Sequence, residues 1–173
     1  MKTLKNYTAM VVFLFAATFV LGSFAFAQDT KKSDEKPAQI KTPALEIKKV
    51  DPGDVKISPA FLVALYEHLV AEVTKTGKIT KILRDGDHEA STTKDIVRLQ
   101  CTVTQFKEGS QRQREVTTVA GATSLHVIAR FVDASGKVLL EKDVSGSVHF
   151  FGDNLKATYD LSKHVAALVK ENF

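Results

Sequence analysis

The chain has 173 residues, enough for one ordinary domain, and no Trp. Its formal net charge is +4, but Lys2 and Lys5 at the extreme N-terminus supply two of those charges, so the remainder is weakly positive and gives no argument for nucleic acid. Cys101 is the single cysteine, which excludes an internal disulfide and leaves stability to a hydrophobic core.

Lys2 and Lys5 precede an uncharged apolar run that ends Ala25-Phe26-Ala27. A basic start, an apolar middle and a small-x-small end make a secretory signal peptide over residues 1–27, cut between Ala27 and Gln28. The expected product is exported, periplasmic or secreted, with no permanent membrane anchor. No Cys lies near the cut, which argues against lipoprotein processing. Residues 28–43, "QDTKKSDEKPAQIKTP", are charged and nearly free of large apolar groups. Such a segment buries too little surface to offset its ordering entropy, so it reads as a disordered tether. Residues 44–173 form the expected single domain.

Within that domain "ALEIKKV" (44–50) is a candidate first strand, broken by "DPGD" (51–54). Ser58-Pro59 is a helix start, with a side-chain cap followed by proline at the first helical position. Phe61, Leu62, Leu65, Leu69 and Val73 recur at three- and four-residue spacing and give that helix one apolar face, and Gly77 ends it. "KITKIL" (78–83) is a short strand and "RDGDHEAST" (84–92) a turn-rich loop.

Three long alternating segments follow. Val97, Leu99, Cys101 and Val103 share one face of the first; Leu125, Val127, Ala129 and Phe131 share one face of the second. Val138, Leu140, Val144, Val148 and Phe150 share one face of the third. Period two marks half-buried strands. With "DASG" (133–136) as the connecting loop, Val132 stands opposite Lys137, Phe131 opposite Val138, Ala129 opposite Leu140 and Leu125 opposite Val144. The apolar faces of this hairpin then coincide, whereas a one-residue slip would separate them. Gly136 suits a left-handed loop position. A last helix opens at Asp153 and carries Tyr159, Leu161, Val165, Leu168 and Val169. The expected fold is α+β: a largely antiparallel four- to five-stranded sheet with two amphipathic helices on one face and a polar, partly wet opposite face.

Gly109, Arg112 and Arg114, then Gly121-Ala122, then Asp133, Gly136, Lys137 and Val138, together with this order of elements, resemble an exported bacterial family of unknown function. That family is the domain of unknown function numbered forty-four-ten. It is similar in turn to mixed α/β domains of cell-envelope assembly factors. The resemblance covers roughly residues 44–173. It implies an envelope role and no established activity.

Chemistry-bearing motifs are sparse. His68 and His164 lie on different helices, His88 in a loop, and His126 and His149 at distant points of neighbouring strands. No H-x-x-x-H, H-x-H or paired Cys is present, so no metal or other cofactor is expected. "DGDHE" (85–89) is rich in acids, but an EF-hand starting at Asp85 needs Gly and Glu where Ala90 and Ile96 stand. There is no G-x-S-x-G, Cys101 sits on an apolar strand face, and Gly146 in "VSGS" reads as easing a bend. The one suggestive patch is "KEGSQRQRE" (107–115), where Lys107, Arg112 and Arg114 lie without apolar neighbours. On an extended strand Arg112 and Arg114 would point the same way and offer two guanidinium forks to an anionic partner. The function expected is a non-catalytic, envelope-associated binding or assembly module, not an enzyme. Its partner is an envelope protein or surface polymer. The alternative is a small periplasmic hydrolase or ligand-binding enzyme whose site is assembled from distant residues.

Overall fold

The computed structural model describes residues 39–117, 120–150 and 152–173. The expected signal peptide, its cut between Ala27 and Gln28, and residues 28–38 of the tether lie outside them. Among the described residues nine elements follow in order: β1 (Ala44–Ile47), α1 (Pro59–Lys75), β2 (Lys81–Arg84), α2 (Glu89–Thr92), β3 (Val97–Lys107), α3 (Gln111–Val116), β4 (Thr123–Val132), β5 (Val138–Val148) and α4 (Lys156–Asn172).

The fold is α+β, and its five strands form one sheet in the order β2-β1-β3-β4-β5. β3, β4 and β5 are antiparallel, as the long alternating segments predict. β1 runs parallel to both its neighbours, so the sheet is mixed. The parallel pairing follows from α1, a 17-residue crossover that returns the chain to the same end of the sheet before β2 begins.

One sheet face carries the main core. Leu45, Ile47, Leu99, Cys101, Leu125, Val127, Ala129 and Phe131 meet Leu65, Leu69 and Val73 of α1 and Leu161, Val165 and Val169 of α4. Each fully buried Leu or Val stabilises by roughly 1.5–3 kcal/mol relative to exposure. Pro59 occupies the first turn of α1 as expected, but Ser58 makes no side-chain cap. Its carbonyl instead accepts from Phe61 and Leu62 N–H. In α4 the buried stripe is Ala157, Leu161, Val165 and Val169, while Tyr159 lies on the wetter side. Asp153 precedes the helix and accepts from Lys156 N–H at 3.1 Å.

The hairpin differs from its expected register by two residues. Phe131 pairs with Leu140, Val127 with Val144 and Leu125 with Gly146, and a bulge falls between Phe131 and Val132. A two-residue change preserves the parity of the inward face, so Val144 and Val148 remain buried, but Val138 and Phe150, expected on that same face, lie at and just beyond the ends of the strand and are 45% and 60% exposed. The cause lies in the turn. Asp133 Oδ1 accepts from Ser135 N–H, Ser135 Oγ and Lys137 N–H, and Asp133 N–H donates to Lys137 O. Lys137 thus joins a five-residue loop that Gly136 closes at φ 87°. Gly146 does not serve a bend. A β-carbon there would lie 2.3 Å from Ala157 O and 2.4 Å from Leu161 N, so the missing side chain lets α4 settle directly on β5.

The end of the tether is also corrected. Ile40 N–H donates to Asn172 O at 2.6 Å, Thr42 Oγ1 donates to Asp95 O, and Pro43 O accepts from Lys81 N–H. Residues 39–43 are therefore bonded into the domain. Among the described residues no helix is long and apolar enough to cross a membrane.

Candidate functional site

The segment expected to present an arginine pair does something else. Ser110 Oγ accepts from Gln113 N–H and starts α3, a single helical turn and a half where extended chain was expected. On a helix, residues two apart point roughly 200° from each other. Lys107 and Arg112 are exposed, but Arg114 is 3% exposed. Its Nε donates to Phe150 O at 3.1 Å, one terminal nitrogen to Gly121 O at 2.5 Å and Thr123 Oγ1 at 3.4 Å, and the other to Gly152 O at 2.7 Å and Asn154 Oδ1 at 2.9 Å. All five guanidinium donors are used. None of these acceptors is a carboxylate. Arg114 is therefore a clamp that joins α3, the start of β4 and the turn before α4, with nothing left to offer an anion.

Glycines make that clamp possible. A β-carbon on Gly109 would lie 2.0 Å from Gly121 O, and one on Gly121, at φ 86°, would lie 2.5 Å from Ser110 O. The backbones of 109–110 and 121–122 thus touch directly, and Ser110 N–H donates to Gly121 O. The Gly109, Arg114 and Gly121 of the sequence resemblance converge on this one node.

The polar face of the sheet carries a better candidate. β1 alternates, so Leu45 and Ile47 point to the core and Glu46 to the opposite face. Because β1 is flanked on both sides, Glu46 stands beside Leu83 of β2 and Arg98 of β3. α2 lies near this corner, where Ala90 packs with Ala44, Leu83 and Ile96 in a small second core. Glu46 is left 4% exposed. Its Oε1 accepts from Lys48 Nζ at 3.1 Å and its Oε2 from Arg98 Nε at 3.1 Å. Lys48 also pairs with Asp85. The hydrogen bond to Asp85 is the main cause that raises the Lys48 pKa, and the same bond holds the Asp85 carboxyl below its usual range.

These groups line an open pocket of about 370 Å³, together with Asp87, His88 and Ser91. Arg98 uses only Nε. Its two terminal amino groups, and the ring of His88, have no partner among the described residues. A buried carboxylate that holds a guanidinium by its Nε leaves the terminal fork unpaired. Sequence reading passed over Glu46, Lys48 and Arg98, and it treated Asp85, Asp87 and His88 as a solvated turn. The only linear signal is the Glu46–Lys48 spacing, which puts both on one strand face.

The remaining groups separate. Burial pushes the Cys101 thiol up to about 12. His68 Nδ1 meets Thr158 Oγ1 at 2.9 Å, His164 Nδ1 meets Ser145 O at 2.7 Å, and His149 Nε2 meets Ser147 Oγ at 2.9 Å. His126 lies 3.7 Å from Asp143. Among the described residues no group of three or more His, Cys, Asp or Glu is placed to hold a metal ion.

The family model of a domain of unknown function, DUF4410, matches residues 28–152. Among curated proteins no sequence matches the chain. Among solved structures, the PelC dodecamer from Paraburkholderia phytofirmans is similar at 13% identity, with a TM-score of 0.58 over 80% of this chain and 95% of that one. A leucine-to-methionine variant of the same dodecamer gives a TM-score of 0.56 at 13% identity, covering 79% of this chain and 93% of that one. At such identity the likeness is one of fold.

Proposed function

The chain belongs to the DUF4410 family of domains of unknown function, and we propose that it is a non-catalytic, exported, envelope-associated binding or assembly module. The observation that carries this reading is the pocket on the polar face of the sheet. There the buried Glu46 holds Arg98 and Lys48, and unpartnered donors face outward. We read this arrangement as one that holds a ligand, because the free donors at its centre belong to a guanidinium, which stays protonated and serves as an anchor. The thiol that could act as a nucleophile is sealed in the core.

Export is supported by the basic, apolar and small-x-small order of residues 1–27. Assembly is supported by the fold shared with PelC, a protein whose structure is a dodecamer. The partner is an envelope protein or a surface polymer, and the compartment is the periplasm or the exterior.

The test is crosslinking of the full-length chain in its native cell, with mass spectrometry of the product and of what it captures. The expected result is a mature N-terminus at Gln28, an extracytoplasmic location and covalent capture of envelope components or further copies of this chain. An uncut cytoplasmic product, or a monomer that captures nothing, overturns the proposal.

A further inference from the structure

We propose that the pocket beside Glu46 is a site for the carboxylate group of a small organic ligand, with Arg98 as its anchor. The inference rests on the reading of the chain as a binding module and names the chemistry that this module takes.

The first support is geometric. Glu46 Oε2 takes only the Nε hydrogen of Arg98, so the two terminal amino groups and their four N–H remain for a ligand. A planar guanidinium fork matches the two oxygens of a carboxylate in a bidentate pair. Arg84 spends that fork on protein, on both oxygens of Glu67. Arg114 likewise spends every donor within the fold. Arg98 does neither.

The second support is electrostatic. Before a ligand enters, Lys48 and Arg98 balance Glu46 and Asp85, and Asp87 adds one negative charge at the rim. The lining thus carries one net negative charge, which opposes a dianion such as phosphate more strongly than a monoanion. A monoanionic carboxylate needs only the fork and a second donor, and His88, exposed and without a ring partner, stands on the lining to provide it. Ser91 Oγ donates to His88 O and closes the short turn that presents the imidazole. The buried Glu46 makes the anchor stiff, because moving Arg98 would strand a carboxylate away from water. A stiff donor loses less freedom on binding than a mobile surface side chain.

Titration of the full mature chain by amide-detected NMR tests the site, with sodium propionate as probe and sodium phosphate and sodium chloride as controls at equal ionic strength. Propionate should move the amides of Gly86, His88 and Ser91 and the Arg98 Nε–H saturably, at millimolar concentration. Phosphate should bind more weakly, and chloride should give no saturation. Arg98→Lys retains a cation for Glu46 but loses the fork, so it should weaken propionate at least tenfold while distant amides stay in place. His88→Ala, an exposed change, should weaken binding severalfold while distant amides stay in place.

Equal affinity in both variants, shifts that never saturate, or phosphate binding tighter than propionate overturns the carboxylate site. Loss of the titration with cellular capture intact refutes this inference alone. Saturable binding without cellular capture refutes the envelope reading alone.

Discussion

Replacing Arg114 with Gln should cost far more than a surface charge is worth. The side chain is 3% exposed and makes five hydrogen bonds. Two of its acceptors have other donors: Gly121 O is also reached by Ser110 N–H, and Asn154 Oδ1 by Thr123 Oγ1. The carbonyls of Phe150 and Gly152 have no such replacement among the described residues. Both bonds are part-buried, and an acceptor left unpaired where water is largely excluded costs about 1–3 kcal/mol, so about 2–6 kcal/mol is the upper range for the two. Removing a cation that has no carboxylate beside it returns some of its own desolvation cost, so the net loss should be about 1–4 kcal/mol. Arg114→Lys should recover little, because an ammonium has three donors and no planar fork. Urea unfolding followed by circular dichroism measures the difference directly. Arg112→Gln, on the exposed side of α3, is the matched control and should change stability by less than about 0.5 kcal/mol. A loss below about 1 kcal/mol for Arg114→Gln would refute the clamp.

Three further outcomes follow from the packing and the charges. Gly146→Ala should destabilise by about 1–3 kcal/mol, since its β-carbon would meet the backbone of α4, and thermal melting reads the effect. Cys101, with its thiol raised to about 12, should resist iodoacetamide at pH 8 in the folded chain and react within minutes in denaturant; equal rates would place it outside the core. Hydrogen bonding by Ser135 is the leading cause that lowers the Asp133 pKa. A carboxyl whose folded-state value is depressed contributes stability above its unfolded value of about 4, and that contribution is lost as pH falls through the lower folded value. Asp133→Ala should therefore lower the melting temperature at pH 7 and flatten its decline below pH 4; an unchanged acid slope would argue against the loop bonds.

Local chemistry was legible wherever it was periodic. Alternation over 97–103 and 125–131 specified half-buried strands, and three- and four-residue spacing over 61–73 specified α1, because one apolar face must be buried whatever the partner. The inward face of the β4–β5 hairpin was determined in the same way, and it survived a two-residue error in register. That error was invisible because parity alone was constrained: Asp133 chose the loop by gathering Ser135 and Lys137, and no hydrophobic pattern records that choice. The role of Arg114 was decided by tertiary structure, since three of its acceptors are backbone carbonyls brought from 121, 150 and 152. A carbonyl has no sequence identity, so an arginine that binds carbonyls looks the same in sequence as one that faces water. The pocket has the same origin. Glu46 and Arg98 become partners only because β1 lies parallel beside β3, a neighbour relation set by the packing of α1 over the sheet and not by any spacing along the chain.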